Sequence, residues 1–451
     1  MTENNDFLTN SSLDVTQKGK QLREKILELI SEYHEISHNN NKFVPGKTIV
    51  PVSGKVYDDY DLQMLASSSL DFWLTSGRFN DAFENELGKF LKMNYVLTTN
   101  SGSSANLLAL TALTSNQFEN SALQEGDEVI SVAAGFPTTI NPILQNNLTP
   151  VFVDVEIPTY VIDTELIEKA ITEKTKAIMI AHTLGNCFDV EKISKIAKDN
   201  NLWLIEDCCD ALGSLVNNQH VGSFGDVSTC SFYPAHHITM GEGGAVFTNN
   251  SQINRIVESL RDWGRDCFCA PGKSNTCGKR FGWKLGELPE GYDHKYTYSN
   301  LGYNLKITDM QAAVGLAQIR HLPEFIKKRK ENFIFLKNAL SELSEYIILP
   351  EATKNSEPSW FGFPITIKEN KSYKKDELIL FLSKSLIDTR PLFAGNITKQ
   401  PYIKNYQYKI VSSLEKTDLI MNNSFWIGVY PGITKEMLEY VVTKFKEFFN
   451  K

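Results

Sequence analysis

The chain has seven cysteines, and three of them fall in one short stretch, CFCAPGKSNTCG, as Cys267, Cys269 and Cys277. A fourth thiol, Cys209, precedes Cys267 by 57 intervening residues and has Cys208 as its neighbour. Four thiolates drawn to one point can hold a [2Fe-2S] cluster or a structural zinc ion, and spacing alone does not separate the two. On spacing alone, zinc or no metal is the commoner outcome. The stretch is rich in Gly, Pro, Ser and Asn, as a loop folding round a metal would be, and both Cys208 and Cys209 are placed to supply the remaining ligand. The adjacent His236 and His237 offer proton transfer near neutral pH, although satisfied structural histidines are as common. Asp207 follows the apolar run LWLIE, so its carboxylate emerges at the C-terminal end of a strand, where ligands of open α/β sheets sit. A capping aspartate at a strand-to-helix turn is the plainer reading. Gly102, Ser103 and Ser104 in NSGSSANLLAL begin a helix whose free N–H groups suit a phosphate, or simply form a good N-terminus.

These groups need a scaffold, and the chain is long enough to supply one. At 451 residues with 42% hydrophobic content it exceeds the size served by a single core, so two folded units with extensions are expected. The short apolar runs DEVISVAA, TPVFVDV, AIMIAHTLG, LWLIEDC and GAVFTN read as buried strands, and they alternate with helical patterns between about Ser76 and Leu322. That order implies a mostly parallel α/β sheet with helices on both faces. Residues 1 to about 14 are polar and expected to be mobile. Leu22, Ile26, Leu29, Ile30 and Tyr33 follow helical spacing, giving an amphipathic helix from Thr16 to about Ile36. The expected division is an N-terminal arm over 1–60, a large domain over 61–322 that carries the thiol loop, and a smaller α+β domain over 323–451 ending in a helix from about Thr434.

The formal charge of -8, from 46 basic and 54 acidic residues, shows no basic excess and disfavours nucleic acid as a partner. No stretch approaches 18 uninterrupted apolar residues and the first residues lack a signal-peptide core, so no membrane role is expected. An odd number of cysteines argues against a secreted disulfide framework. A cytoplasmic protein with reduced or metal-bound thiols is expected.

Seven motifs in order, TTNSGSSANLLAL, AAGFPTTIN, TPVFVDVEIPTYVID, LWLIEDCCDALGS, VGSFGDVSTCSFYPAHH, GEGGAVFTN and GYNLKITDMQAAVGLAQI, resemble the sugar aminotransferases of the DegT/DnrJ/EryC1/StrS family, which act on nucleotide-linked keto sugars. The resemblance implies the aspartate aminotransferase type I fold. It implies that Asp207 pairs with a pyridine nitrogen, that Gly102, Ser103 and Ser231 hold a coenzyme phosphate, and that Phe136 lies against the ring. It also assigns Asn304 to the phosphate of a neighbouring subunit, hence a homodimer, and Arg390 to the sugar nucleotide. By composition alone, Phe136 is a core aromatic and Arg390 a surface arginine.

The family carries a lysine five residues after the phosphate serine, and Ser231 plus five is His236. A histidine there cannot anchor pyridoxal phosphate covalently, so pyridoxamine phosphate, held noncovalently, is the implied coenzyme. The cysteine spacing is similar to the iron-sulfur branch that removes the C3 hydroxyl of a CDP-4-keto-6-deoxyhexose, and that likeness selects Cys209, Cys267, Cys269 and Cys277 as [2Fe-2S] ligands. The implied reaction uses His236 as base, serves 3,6-dideoxyhexose and surface polysaccharide synthesis, and draws electrons from an iron-sulfur flavin reductase. The rival readings are an iron-sulfur dehydrase for a dTDP-linked sugar, a cluster-free GDP-4-keto-6-deoxymannose dehydratase, and a catalytically silent zinc-stabilised protein.

Overall fold

Buried β-branched runs set the architecture. In the computed structural model, which describes residues 7–8, 16–38, 42–369, 373–411 and 413–450, the expected strands appear as β2 (Glu128–Val132), β3 (Thr149–Val153), β4 (Thr175–Ala181), β5 (Trp203–Asp207) and β7 (Gly244–Thr248). Most of their residues are buried on both faces, as a sheet covered by helices requires. Two further strands complete the sheet: β1 (Tyr95–Thr99) forms one edge and β6 (Val227–Ser231) lies inside it. The order is β1-β7-β6-β5-β4-β2-β3-β11, where β11 is Lys409–Ile410. β7 pairs antiparallel with both β1 and β6, and the run from β6 to β11 is parallel. The mostly parallel α/β sheet expected from the sequence is therefore present.

Helices cover both faces. α3 (Arg78–Leu91) buries Phe79, Phe83 and Leu87 on one side, while α4 (Gly102–Ala112) and α7 (Ser251–Arg261) bury Leu108, Ile253 and Val257 on the other. Phe83 meets Phe232 edge-on with ring centroids 5.3 Å apart, a contact whose truncation to Ala costs about 3–5 kcal/mol. α5 (Pro137–Gln145) has Pro137 in its first turn, where a missing N–H costs nothing.

A second sheet, antiparallel throughout, has the order β8 (Ile347–Ile348), β9 (Gly362–Ile367), β12 (Ser424–Gly428) and β10 (Arg390–Pro391). It packs on α9 (Leu322–Ala339) and α12 (Lys435–Phe449), whose N-cap is Thr434, around Leu336, Phe363, Ile365 and Phe445. Phe333 stacks on Trp360 at 3.7 Å. β11 then returns the chain to the edge of the large sheet beside β3.

The N-terminal helix α1 (Gln17–Ser37) forms with Thr16 as its cap, but its apolar stripe is not the face that packs. Leu22, Ile26, Leu29 and Tyr33 are exposed, and the buried residues are Arg23 and Leu27. Arg23 is drawn inward because its guanidinium meets Asp71 at 2.9 Å and the Ser67 and Leu8 carbonyls at 2.7 and 2.8 Å. The polar segment over residues 1–14 lies, apart from Phe7 and Leu8, outside the described residues. No described helix is long and apolar enough to cross a membrane.

Candidate active site

The C-terminal ends of the parallel strands open into a cavity of about 560 Å³, the size of a small-molecule site. Asp207 closes β5 at its floor and is buried. One carboxylate oxygen accepts from Asn106 Nδ2 at 2.8 Å and Thr139 Oγ1 at 2.7 Å, and the other accepts the Cys209 N–H at 3.1 Å. Asn106 is itself oriented by Thr229, whose hydroxyl donates to its amide oxygen at 2.6 Å. Three donors thus fix the carboxylate against the cavity wall.

The N-terminus of α4 enters the same cavity. Ser101 caps the helix by accepting the Ser104 N–H at 3.1 Å, which leaves the N–H groups of Gly102 and Ser103 facing the opening with the positive end of the helix dipole. A Cβ on Gly102 would stand 2.4 Å from Ser231 Cβ and 3.1 Å from Cys209 Sγ, so only glycine keeps this cradle open. Ser103 and Ser231 line it; Ser104 does not, because its N–H and hydroxyl both turn to Ser101. Ser104, expected from the sequence beside Gly102 and Ser103, serves here as the partner of the Ser101 cap.

The histidine pair divides. His236 lines the cavity, its Nδ1 3.5 Å from Asp210 Oδ1 and its ring 5.1 Å from that of Phe361. His237 points away and its Nε2 lies 2.7 Å from the Ser359 carbonyl. Burial, reinforced by the Arg329 guanidinium, pulls His236 down to about 4, so it is neutral at physiological pH. Burial pushes Asp210 up to about 8, and the nearby Asp207 carboxylate adds to this. Arg329 is fully buried and donates to the carbonyls of His236, Trp360 and Phe361 at 3.2, 3.2 and 3.3 Å. It therefore holds the His236 turn against the second sheet.

Phe136 is the N-cap of α5 and half exposed at the mouth, meeting Phe393 edge-on at 6.1 Å. Arg390 opens β10 and reaches the rim, where its side chain, among the described residues, meets the Thr389 carbonyl and the Asp388 carboxylate. Asn304 is exposed and does not line this cavity. Its backbone bridges Asp262 instead.

The thiols are divided between two cavities. Cys209 lines the coenzyme-sized cavity, whereas Cys267 and Cys269 line another cavity of about 640 Å³, and the two share no lining residue. Burial, with Cys269 and Cys277 close by, pushes the Cys267 thiol up, and Cys269 Sγ lies 3.0 Å from Thr276 Oγ1. Among the described residues, no trio of potential ligand atoms within 4.8 Å of one another includes any of these four cysteines. Among the described residues, three thiolates close enough together for a zinc site are thus not found. Cys208, Cys187 and Cys230 are buried thiols; Cys208 faces the Glu206 carbonyl at 3.9 Å and leaves Cys209 as the thiol that reaches the cavity.

Asn106, Thr139, Asp210 and Arg329 shape the site without having been singled out in the sequence. Asn106 follows Gly102 by four residues on α4, and Thr139 follows Phe136 by three on α5, so helical spacing from the expected contacts points to both.

Residues 57–446 match the profile of the DegT/DnrJ/EryC1/StrS aminotransferase family. The chain is 62% identical over 431 residues to the lipopolysaccharide biosynthesis protein RfbH of Salmonella typhimurium, covering 96% of this chain and 99% of that one. It is 48% identical over 436 residues to the dTDP-4-dehydro-2,6-dideoxy-D-glucose 3-dehydratase of Saccharopolyspora spinosa, covering 97% and 94%. Its fold superposes on an E. coli GDP-4-keto-6-deoxy-D-mannose-3-dehydratase with bound hydrated pyridoxal phosphate, with a TM-score of 0.80, 29% identity and coverage of 88% and 99%. With the type I fold, the coenzyme-sized cavity and a match over most of its length, this chain belongs to the DegT/DnrJ/EryC1/StrS aminotransferase family.

Proposed function

We propose that the chain is a nucleotide-sugar 3-dehydrase that uses pyridoxamine phosphate to remove the C3 hydroxyl of a CDP-4-keto-6-deoxyhexose, in the synthesis of 3,6-dideoxyhexoses for a surface polysaccharide. The observation that carries this reading is His236, a neutral imidazole on the cavity wall at the position from which the family's lysine would capture the coenzyme. The 3-dehydratase names of relatives and the polysaccharide context of RfbH support it.

The cavity fits the coenzyme. Asp207 would face the pyridine nitrogen, Gly102, Ser103 and Ser231 would hold the phosphate, and Phe136 would lie on the ring, with Asn304 supplied by a second copy in a homodimer. When bound, the coenzyme supplies an amine for the sugar ketone and an electron sink. His236 takes up a proton at its free ring nitrogen, which its low proton affinity in the resting site leaves available. Phe361 packs against the imidazole, and Arg329 holds the backbone carbonyl of His236. Arg390 at the rim offers charge to the nucleotide diphosphate.

In the redox arm of this reading, Cys209, Cys267, Cys269 and Cys277 would hold a [2Fe-2S] cluster, which would supply single electrons drawn from an iron-sulfur flavin reductase. No step of the dehydration is assigned to those thiols.

The test is product analysis with CDP-, dTDP- and GDP-linked 4-keto-6-deoxyhexoses in the presence of pyridoxamine phosphate. Loss of the C3 oxygen, fastest with the CDP sugar, is expected. Conversion to a 4-amino sugar with glutamate as donor would refute the assignment.

A further inference from the structure

The loop that carries three thiols is a built frame rather than a free flap. Its two limbs are pinned at the base by backbone bridges between Asp262 and Asn304 and between Arg265 and Tyr298. Gly264, at φ +78°, packs so closely on the opposite limb that a Cβ would stand 1.9 Å from the Asn300 carbonyl oxygen. Further out, Arg280 grips Asp293 through two bonds of 2.8 and 2.6 Å, and His294 meets Asp266 at 2.5 Å. Phe268, between two of the thiols, sits under Arg255 of α7 at 5.1 Å.

Within one chain the loop thiols Cys267 and Cys269 line one cavity and Cys209 another, with no lining residue in common. α7 begins beside the far end of α4, where Gln252 donates to the Gln117 carbonyl at 2.9 Å, one turn from Arg255. Cys209 lies at the other end of α4, against Gly102. A [2Fe-2S] cluster needs its four thiolates around one small core, so a set divided in this way is not closed within a chain.

The surface around the frame is unfinished as well. Leu301 is 94% exposed, and Phe281, Tyr296 and Tyr298 are each more than half exposed, on the same excursion as the thiols and Asn304. Phe136 and Tyr233 are half exposed at the cavity that holds Cys209. Apolar side chains of this size gathered on one excursion mark a contact surface. Each copy carries both halves, a three-thiol loop and a lone cavity thiol, and a two-fold dimer places the same two patches against each other twice.

We infer that the iron-sulfur centre is built between two copies of this chain, with Cys267, Cys269 and Cys277 from one and Cys209 from the other, so that each cluster sits at the coenzyme cavity of the partner that lends Cys209. The inference rests on the redox arm of the function proposed above. It makes cluster assembly depend on dimerisation, whereas the dimer forms without the cluster.

Co-expression of differently tagged Cys209→Ser and Cys269→Ser chains, purification through both tags without oxygen, and assay of iron, labile sulfide and visible absorption test it. In the mixed dimer, one site combines an intact loop with an intact Cys209 while the other lacks both, so about half the wild-type iron and absorption is expected, with none in either variant homodimer. If each cluster formed within one chain, neither site of the mixed dimer would be complete, and an iron-free mixed dimer beside an iron-replete wild type would overturn the inference. Full iron in the Cys209→Ser homodimer would also overturn it, by removing Cys209 from the ligand set. A wild-type dimer without iron or sulfide would instead remove the redox arm itself. Sedimentation and circular dichroism, both expected to be unchanged, show that each variant is folded.

Discussion

His236 Nδ1 stands 3.5 Å from Asp210 Oδ1 in the wall of the cavity, and both groups are shifted toward their neutral forms. An imidazole at about 4 and a carboxyl at about 8 make a pair that is uncharged at neutral pH. Such a pair can receive a proton without first losing one.

Replacement of His236 by Asn should leave pyridoxamine phosphate bound and lower deoxygenation by roughly 10²- to 10⁴-fold, the usual loss when a general base is removed. His237→Asn serves as the control because its ring is committed to the Ser359 carbonyl. Solvent exchange of the coenzyme's C4′ proton in the presence of substrate checks this: exchange should collapse in the first variant and persist in the second.

Asp210 links the site to stability. Its folded value of about 8 lies above the ordinary 3.8, so the folded state holds this proton more tightly than the unfolded chain does. The stability that the proton contributes is complete below the unfolded value and is lost as pH rises through the folded one. Asp210→Asn lacks that titration, so its stability relative to the wild type should increase between about pH 4 and about pH 8, read by urea unfolding across that range. A pH-independent difference would mean that Asp210 is ionised in the folded protein.

Gly102→Ala tests the phosphate cradle. The added methyl meets Ser231 Cβ at 2.4 Å and the backbone of α4 cannot retreat without breaking its cap. Coenzyme affinity should fall at least about tenfold, which is about 1.4 kcal/mol. Titration by absorbance measures it, with an unchanged circular dichroism spectrum as control.

Arg390→Ala should raise KM for the nucleotide sugar with little change in kcat, because the side chain sits at the rim and not beside His236. Steady-state kinetics decide this. A fall in kcat with constant KM would place Arg390 in the chemical step.

The strands that position the site were legible where apolar residues run together, as in WLIED and TKAIMIA. β1 and β6 were not, because YVLTT and VSTCS are rich in hydroxyl and thiol side chains whose burial depends on partners distant in sequence. The apolar stripe of α1 was read correctly as helical, yet periodicity does not say which face packs, and the ion pair of Arg23 with Asp71 decided that. Arg329 looked like one more charge in the stretch EFIKKRKENFIFLKNAL, and only the fold brings three carbonyls to it. Asp207 and His236 were legible as a pair because family order supplied their register. Asp210, three residues from Asp207, carries no pattern of its own.

The account turns on the fate of the C3 oxygen. A CDP-4-keto-6-deoxyhexose labelled with oxygen-18 at C3, incubated with pyridoxamine phosphate and the wild-type protein, should release the label to water, while His236→Asn retains it in the sugar. Retention of the label by the wild type, with nitrogen appearing at C4, would contradict the account.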